Sequence, residues 1–515
     1  MATISRRNFL EGWFDAPQNL SEVNTGLEEF TQVLNRLQVK HLLRRATFSM
    51  TNAIIDKYVG KTAGEVVDAL FANADKNTSP IQPFFVNDVI RNPQSLSGKQ
   101  KEEEAAKRAL HLGDYNKELG KWWVILMKND RESFLEKTVL FWHDHFATQF
   151  AICDNIPAIS MYKQNDLFRK NYAGNFRTLL EQISVDGAML RYLNGNENLS
   201  DSPNENYARE LMELFSLGVG NYTEQDVREA AKILTGWKIT MFADEGTPYK
   251  AFLNTAHFDA NPKLFMGEVF AVNYEINEQN VFNNSVKKLI DVILDKKGQE
   301  VAKFLAKKMY EYYVYSNASK INQVVVDELA KVLYDNKFEI KPMLKKLFKS
   351  QHFFDDQNIG IQLKSPTETI IGMLRHLEYN DLYARNIMAT LGLELFNPPN
   401  VAGWKGYRSW ISTKTLPSTI HYLKEIINTN NDLALGNWAN TIESSGDVHI
   451  LTERMLELFM ARPLSAERIK KYENVLLAGA PDYEWYEIFK NKEQAGQKIR
   501  NLLFEIIKAP DYFLF

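Results

Sequence analysis

Apolar and polar positions along this 515-residue chain follow helical rather than strand periodicity. Over residues 135–150, Leu135, Val139, Trp142 and Phe146 recur at spacings of three and four, which predicts a helix with one apolar stripe. Helix starts are legible. Ser202-Pro203-Asn204-Glu205 places an N-cap serine, a proline at the first helical position and a glutamate at the third, the pattern of a capping box. Ser365-Pro366-Thr367-Glu368 repeats it, and Thr223 before Asp226 gives a third start, with Tyr222 and Val227 spaced as a hydrophobic staple. Leu217-Gly218-Val219-Gly220 reads as a glycine stop, so residues 203–236 are predicted as two helices joined by a tight turn.

Strand signals are few. The best lies in 249–270, where short apolar runs flank the turn cluster Asp259-Ala260-Asn261-Pro262, which predicts a hairpin closed there. The expected fold class is therefore mainly α: a large multi-helical core with a small β-hairpin or sheet. The last third carries an internal echo. Residues 304–333 match 451–476 in pattern, each a helix, a turn and a second helix, and each is followed by an amphipathic segment ending in two aromatics (Phe353-Phe354, Tyr512-Phe513). Two copies fall short of the three or more that a solenoid needs, so a duplicated helical module is expected. This divides the chain into an arm (1–35), a helical core (36–300) and a helical region with two similar modules and an aromatic loop at 397–410 (301–515).

Composition narrows the class without naming a function. Hydrophobic residues make up 45% and charged residues 24%, as in a globular protein with a large core. The balance of 61 basic and 65 acidic residues, net −4, offers no basic field for nucleic acid. Runs such as 122–127 and 139–142 fall far below the ~18 residues of a spanning helix, so no transmembrane segment is expected. One cysteine, Cys153, excludes an intrachain disulfide and a cysteine-rich metal site. Ser5-Arg6-Arg7-Asn8-Phe9-Leu10 resembles a twin-arginine export signature, but Glu11-Gly12-Trp13-Phe14-Asp15 follows where an apolar run of about 7–15 residues is needed. The expectation is a basic arm docked by Phe9, Leu10, Trp13 and Phe14 in a cytoplasmic protein. The alternative is a periplasmic or envelope protein exported in complex with a partner that carries a full signal.

Candidate chemistry sits in four places. Phe141-Trp142-His143-Asp144-His145-Phe146 is the densest cluster of possible ligands for zinc, iron or manganese. Positions two apart on a helix diverge by roughly 200°, so His143 and His145 reach one ion only if the helix ends there. Their alternative is to hydrogen-bond a core helix end. In the 204–217 segment, Glu210 and Glu213 could act as metal ligands or an acid–base pair with Arg209 as an anion clamp. The spacings Glu205–Arg209 and Arg209–Glu213 equally suit an ion-pair ladder. His257 and Asp259 would share one face of an extended segment. The loop 397–410 interleaves Trp404, Tyr407, Arg408 and Trp410 with glycines, which suits stacking on a sugar or planar ligand, or plugging the core. Dinucleotide, P-loop and nucleophile-elbow motifs are lacking, so those enzyme classes have no support.

Taken in order, the motifs resemble a bacterial family called domain of unknown function 1800. The carrying strings are His41-Leu42-Leu43-Arg44-Arg45-Ala46-Thr47-Phe48, residues 141–146, Asn206 through Leu214, Leu217-Gly218-Val219, and Tyr222-Thr223 through Trp237. Lys364-Ser365-Pro366 and Pro398-Pro399-Asn400-Val401-Ala402-Gly403-Trp404 complete the match, which spans about 38–515. Many relatives carry histidine at Phe215 and glycine at Ser49 and Asn261, so one candidate ligand is missing here. The resemblance implies an uncharacterised activity and companionship with a sulfatase-like family, domain of unknown function 1501. From it follows the expectation of an accessory or scaffold protein handling an envelope or surface polymer. The rivals are a metal-dependent hydrolase or oxidoreductase using His143, His145, Glu210 and Glu213, with His257 and Asp259, and a carbohydrate-binding protein built on Trp404, Tyr407 and Trp410.

Overall fold

A computed structural model describes residues 26–151, 156–379 and 383–515. The twin-arginine string, the aromatics proposed to dock it and Cys153 lie outside the described residues. The fold is mainly α, with two two-stranded antiparallel sheets among the described residues. Its buried apolar side chains form one large cluster from Leu27 to Phe513, drawing on both the 36–300 and the 301–515 regions. Helix Lys288–Tyr313, bent at Lys297, runs across the boundary read at 300/301.

The 135–150 periodicity yields helix Leu135–His145, which ends as Phe146 leaves helical geometry. It has no solvent face: every residue in it except Asp144 is buried, and it packs against helices Asp114–Asn129, Ala158–Lys170 and Ala63–Lys76. The polar residues on it are therefore committed to partners. Glu136 accepts from both terminal nitrogens of the buried Arg169 (2.5 and 2.9 Å) and from the Trp123 indole (2.8 Å).

Two of the three capping boxes form. Ser365 caps Pro366–His376 with Glu368, and Thr223 caps Glu224–Ile233 with Asp226. The one at Ser202 does not. The helix begins at Asn206, because the Asn198 side chain takes the Asn204 amide (2.8 Å) and the Asn204 side chain takes the Asn206 amide (2.9 Å). Helix Asn206–Glu210 then widens into a π-helical turn over Leu211–Ser216. The amides of Leu217 and Gly218 both return to the Met212 carbonyl (2.8 and 3.1 Å) before Gly218 and Gly220 turn the chain at positive φ.

The hairpin expected around Asp259–Pro262 is differently wired. Strand β1 (Trp237–Ile239) pairs with β2 (Ala251–Leu253), and β3 (Lys263–Phe265) pairs with β4 (Glu268–Phe270). The β3–β4 turn is Met266-Gly267, both at positive φ, the backbone shape that follows strand twist most closely. The 259–262 cluster is a bend between the two ribbons. The duplicated module is present as elements: Lys288–Tyr313 packs on Gln323–Asp335, and Val448–Phe459 packs on Ala466–Leu477. In each copy the second helix packs on a third, Ile340–Phe348 or Lys492–Ile506, and the terminal aromatics Phe353, Phe354, Tyr512 and Phe513 are buried.

Candidate functional site

Three segments far apart in sequence meet at the C-terminal end of helix Leu135–His145. Residues 393–410 cross that end as a loop and are gripped by two consecutive helix residues. The Phe396 amide donates to His143 Nε2 (3.0 Å), and the Trp404 amide donates to Asp144 Oδ1 (2.7 Å). Gly403 makes the second contact possible: it sits at φ +77°, and a Cβ there would lie 2.2 Å from Asp144 Oδ1 and 2.6 Å from the Asp144 carbonyl. The third segment, 362–368, runs alongside from the Ser365 cap. Between them lies a cleft. Trp404, Tyr407, Trp410 and Tyr312 supply aromatic wall, and Asp144 and Glu368 supply carboxyls. Ser316 and Gln362 add neutral polar groups, and Phe515 closes one end.

The loop is conformationally costly. Phe396 and Tyr407 hold φ of 64° and 48°, a region that costs a non-glycine residue roughly 1–2 kcal/mol. The Tyr407 hydroxyl meets that of Tyr315 at 3.4 Å. Burial raises the Asp144 carboxyl to about 6, opposed by the Trp404 amide and the ammonium of Lys308. Glu368 is held below the usual carboxylate range despite burial, because Lys137 pairs with it and Ser365 donates to it. Both of its oxygens are taken, one by Lys137 and one by the Ser365 amide.

The predicted metal ligands do not gather around this cleft or elsewhere. His143 is buried and accepts from Phe396 through Nε2, so its proton sits on Nδ1; burial lowers it to about 3. His145 has the opposite tautomer. Its Nε2–H donates to the Phe215 carbonyl (3.0 Å) and its Nδ1 accepts from the Lys308 ammonium (3.3 Å). Burial, then Lys308, holds it well below the ordinary histidine range. Neither imidazole keeps a free lone pair for an ion. Lys308 also donates to the Leu214 carbonyl (3.2 Å), so both it and His145 satisfy carbonyls of the π-helical turn. His257 lies in a short turn whose carbonyl accepts from the Ser200 amide (3.0 Å). Asp259 folds onto the Asn261 amide (2.9 Å) and side chain (2.8 Å). Among the described residues no three His, Cys, Asp or Glu side chains converge to hold a metal ion.

The second predicted cluster is a strut. Arg209 forks onto Glu224 (2.7 and 2.8 Å) and reaches Glu205 (3.1 Å), tying helix Asn206–Glu210 to helix Glu224–Ile233. Glu213 accepts from the Tyr222 hydroxyl (2.6 Å), and burial, then Glu213, raises Glu210. Of the four ligand-binding candidates, Trp404, Tyr407 and Trp410 line the cleft. Arg408 is exposed and sits over the Tyr407 ring at 5.5 Å. Asp144, Tyr312, Gln362 and Phe515 were not singled out from sequence. For Asp144 the signal was at hand, since it lies between the two histidines of the richest string.

Residues 41–514 match the model of the family described as Protein of unknown function (DUF1800), nearly the whole chain. The chain belongs to this family. No curated protein and no solved structure matches it. In this DUF1800 member the strings 141–146, 364–366 and 398–404 therefore meet at one place, the walls of the aromatic cleft. Among the described residues no helix is long and apolar enough to cross a membrane.

Proposed function

We propose that this DUF1800 protein binds carbohydrate in the cleft at the end of helix Leu135–His145. The observation that supports this most is the convergence of Trp404, Tyr407 and Trp410 with Tyr312 on one concave surface that also carries carboxyl, amide and hydroxyl groups. Flat apolar rings suit the C–H faces of a sugar, and scattered polar groups suit its hydroxyls. The positive φ of Tyr407 adds weight, since backbone strain concentrates where a ligand is clamped. Binding is favoured over hydrolysis because Glu368, the second carboxyl, already has both oxygens engaged. The metal-dependent hydrolase or oxidoreductase reading draws no comparable support, with both imidazole lone pairs spent inside the fold.

Within this proposal the protein is an accessory component that presents a polymer to a sulfatase-like partner of the domain of unknown function 1501 family. That part rests on the family resemblance alone. Co-purification from the native host that recovers no such partner would count against it.

The binding reading is tested by titrating the full chain with a panel of neutral oligosaccharides. A hit should weaken by about tenfold or more in Trp410→Ala, with Arg408→Ala close to wild type. No binding across the panel, or an affinity indifferent to Trp410, would overturn it.

A further inference from the structure

Phe515 and Glu368 line both the cleft and a second, smaller pocket beside it. Its walls include Arg44, Ser49, Lys364, Glu368, His376 and Tyr512. Two of the strings that carry the family pattern, 41–48 and 364–366, supply its lining cations, Arg44 and Lys364, neither of which lines the cleft.

The charges there do not balance. Arg44 is 6% exposed. Its Nη2 donates to the carbonyls of Glu457 (2.9 Å) and Leu458 (2.8 Å), but its Nη1 is buried without an acceptor. Arg45 is fully buried, stands over the Phe515 ring at 4.6 Å, and leaves Nε and Nη1 without acceptors. The Lys364 ammonium lies over the Tyr512 ring at 4.2 Å and forms no ion pair among the described residues. Lys137 stands over the rings of Phe48 (5.2 Å) and Phe515 (4.9 Å) and is paired with Glu368. Four cations thus surround one carboxylate, Glu368, whose oxygens are already taken. The next carboxylate, Glu457, is engaged by Arg36 (2.5 Å) and Arg454 (3.1 Å). Ser49 and His376 bond each other (2.7 Å) and add no charge of opposite sign.

Buried cations persist when a counter-charge and hydrogen-bond acceptors accompany them. We propose that this cavity binds a small oxyanion, phosphate or sulfate in size and chemistry, between the unpartnered Nη1 of Arg44 and the ammonium of Lys364. A tetrahedral oxyanion supplies both what the guanidinium lacks, an acceptor, and what the cluster lacks, negative charge. Burial, then the neighbouring Arg44, holds Lys364 well below the ordinary lysine range, and an anion beside it would oppose both.

The site is independent of the saccharide reading, which is tested with neutral sugars. The experiment is thermal unfolding and calorimetric titration of the full chain with sodium sulfate and with inorganic phosphate, against sodium chloride at matched ionic strength. One of the two oxyanions should give a saturable stabilisation that chloride does not. Lys364→Met should weaken binding at least tenfold, while Lys331→Met, at an exposed position, should not. Lys364→Met removes a half-buried cation that has no ion-pair partner among the described residues, so it should fold; Arg44→Lys, which keeps charge but not the fork, provides a second reading of the same loss. Responses to sulfate and phosphate that merely match chloride, or an affinity that survives in both variants, would overturn the proposal.

Discussion

At Asp144 one side chain carries two duties that conflict. Its Oδ1 must accept from the Trp404 amide, yet burial penalises its charge and lifts the carboxyl to about 6. A carboxyl raised in the folded state binds its proton there at a pH where the unfolded chain has already lost it. Its favourable contribution is therefore full below the ordinary value near 3.8 and is lost as pH climbs toward 6. Asp144→Asn keeps an oxygen for the amide and removes the charge. Relative to wild type its stability should rise between pH 4 and 6.5 and then level off. The gain should be about 1–2 kcal/mol, reduced from the full linkage value because the carboxyl faces the cleft. Denaturant melts at a series of pH values check this; a difference that stays flat with pH would refute it. Sequence pointed to this string but to its histidines, because an Asp-flanking His pair suggests a metal. Only the fold reveals that both imidazoles serve backbone groups 70 or more residues away, and one of them a lysine from another helix.

Helices show where local signals suffice and where they do not. The start at Ser365 was legible because serine, proline and glutamate occupy the three decisive positions and nothing nearby competes for the amides. The same letters at Ser202 failed because Asn198 and Asn204, side chains at a turn, satisfy the amides first. Ser365→Ala should accordingly cost about 1 kcal/mol, since the Glu368 amide loses its Oγ acceptor, whereas Ser202→Ala should change stability by less than about 0.5 kcal/mol. Chemical denaturation of the two variants distinguishes them. The π-helical turn at Leu211–Ser216 had no readable signature: its extra residue is tolerated because Lys308 and His145, from two other helices, take up the Leu214 and Phe215 carbonyls. That displacement also undoes the even spacing that would align Arg209 with Glu213, and Arg209 turns to Glu224 instead.

Among the described residues one large apolar cluster dominates, and this sets how the molecule should come apart. Helix Lys288–Tyr313 bridges the regions before and after residue 300 and packs on Gln323–Asp335, so opening one region strips cover from the other. Heating should give a single transition, with tryptophan fluorescence and far-ultraviolet circular dichroism superimposing; separate midpoints would show two independent units. The helical class and the small sheet content were readable from periodicity, and the cleft's aromatic loop was readable from composition. The meeting of 141–146, 364–366 and 398–404 was not, because it depends on contacts between residues more than 200 positions apart.

The double grip of His143 and Asp144 on the 396–404 loop has a consequence for solvent access on slow timescales. Peptide hydrogens in irregular segments normally exchange with deuterium quickly. Those of Phe396 and Trp404 are instead bonded to side chains of a helix buried at every position but Asp144, and can exchange only when that helix end lets go. They should be protected like amides in the middle of a helix, whereas Lys405, one residue further on and exposed, should label within seconds. The boundary between slow and fast hydrogens would then fall between residues 404 and 405, marking where the cleft stops being scaffold and becomes a surface free to adjust to what it holds.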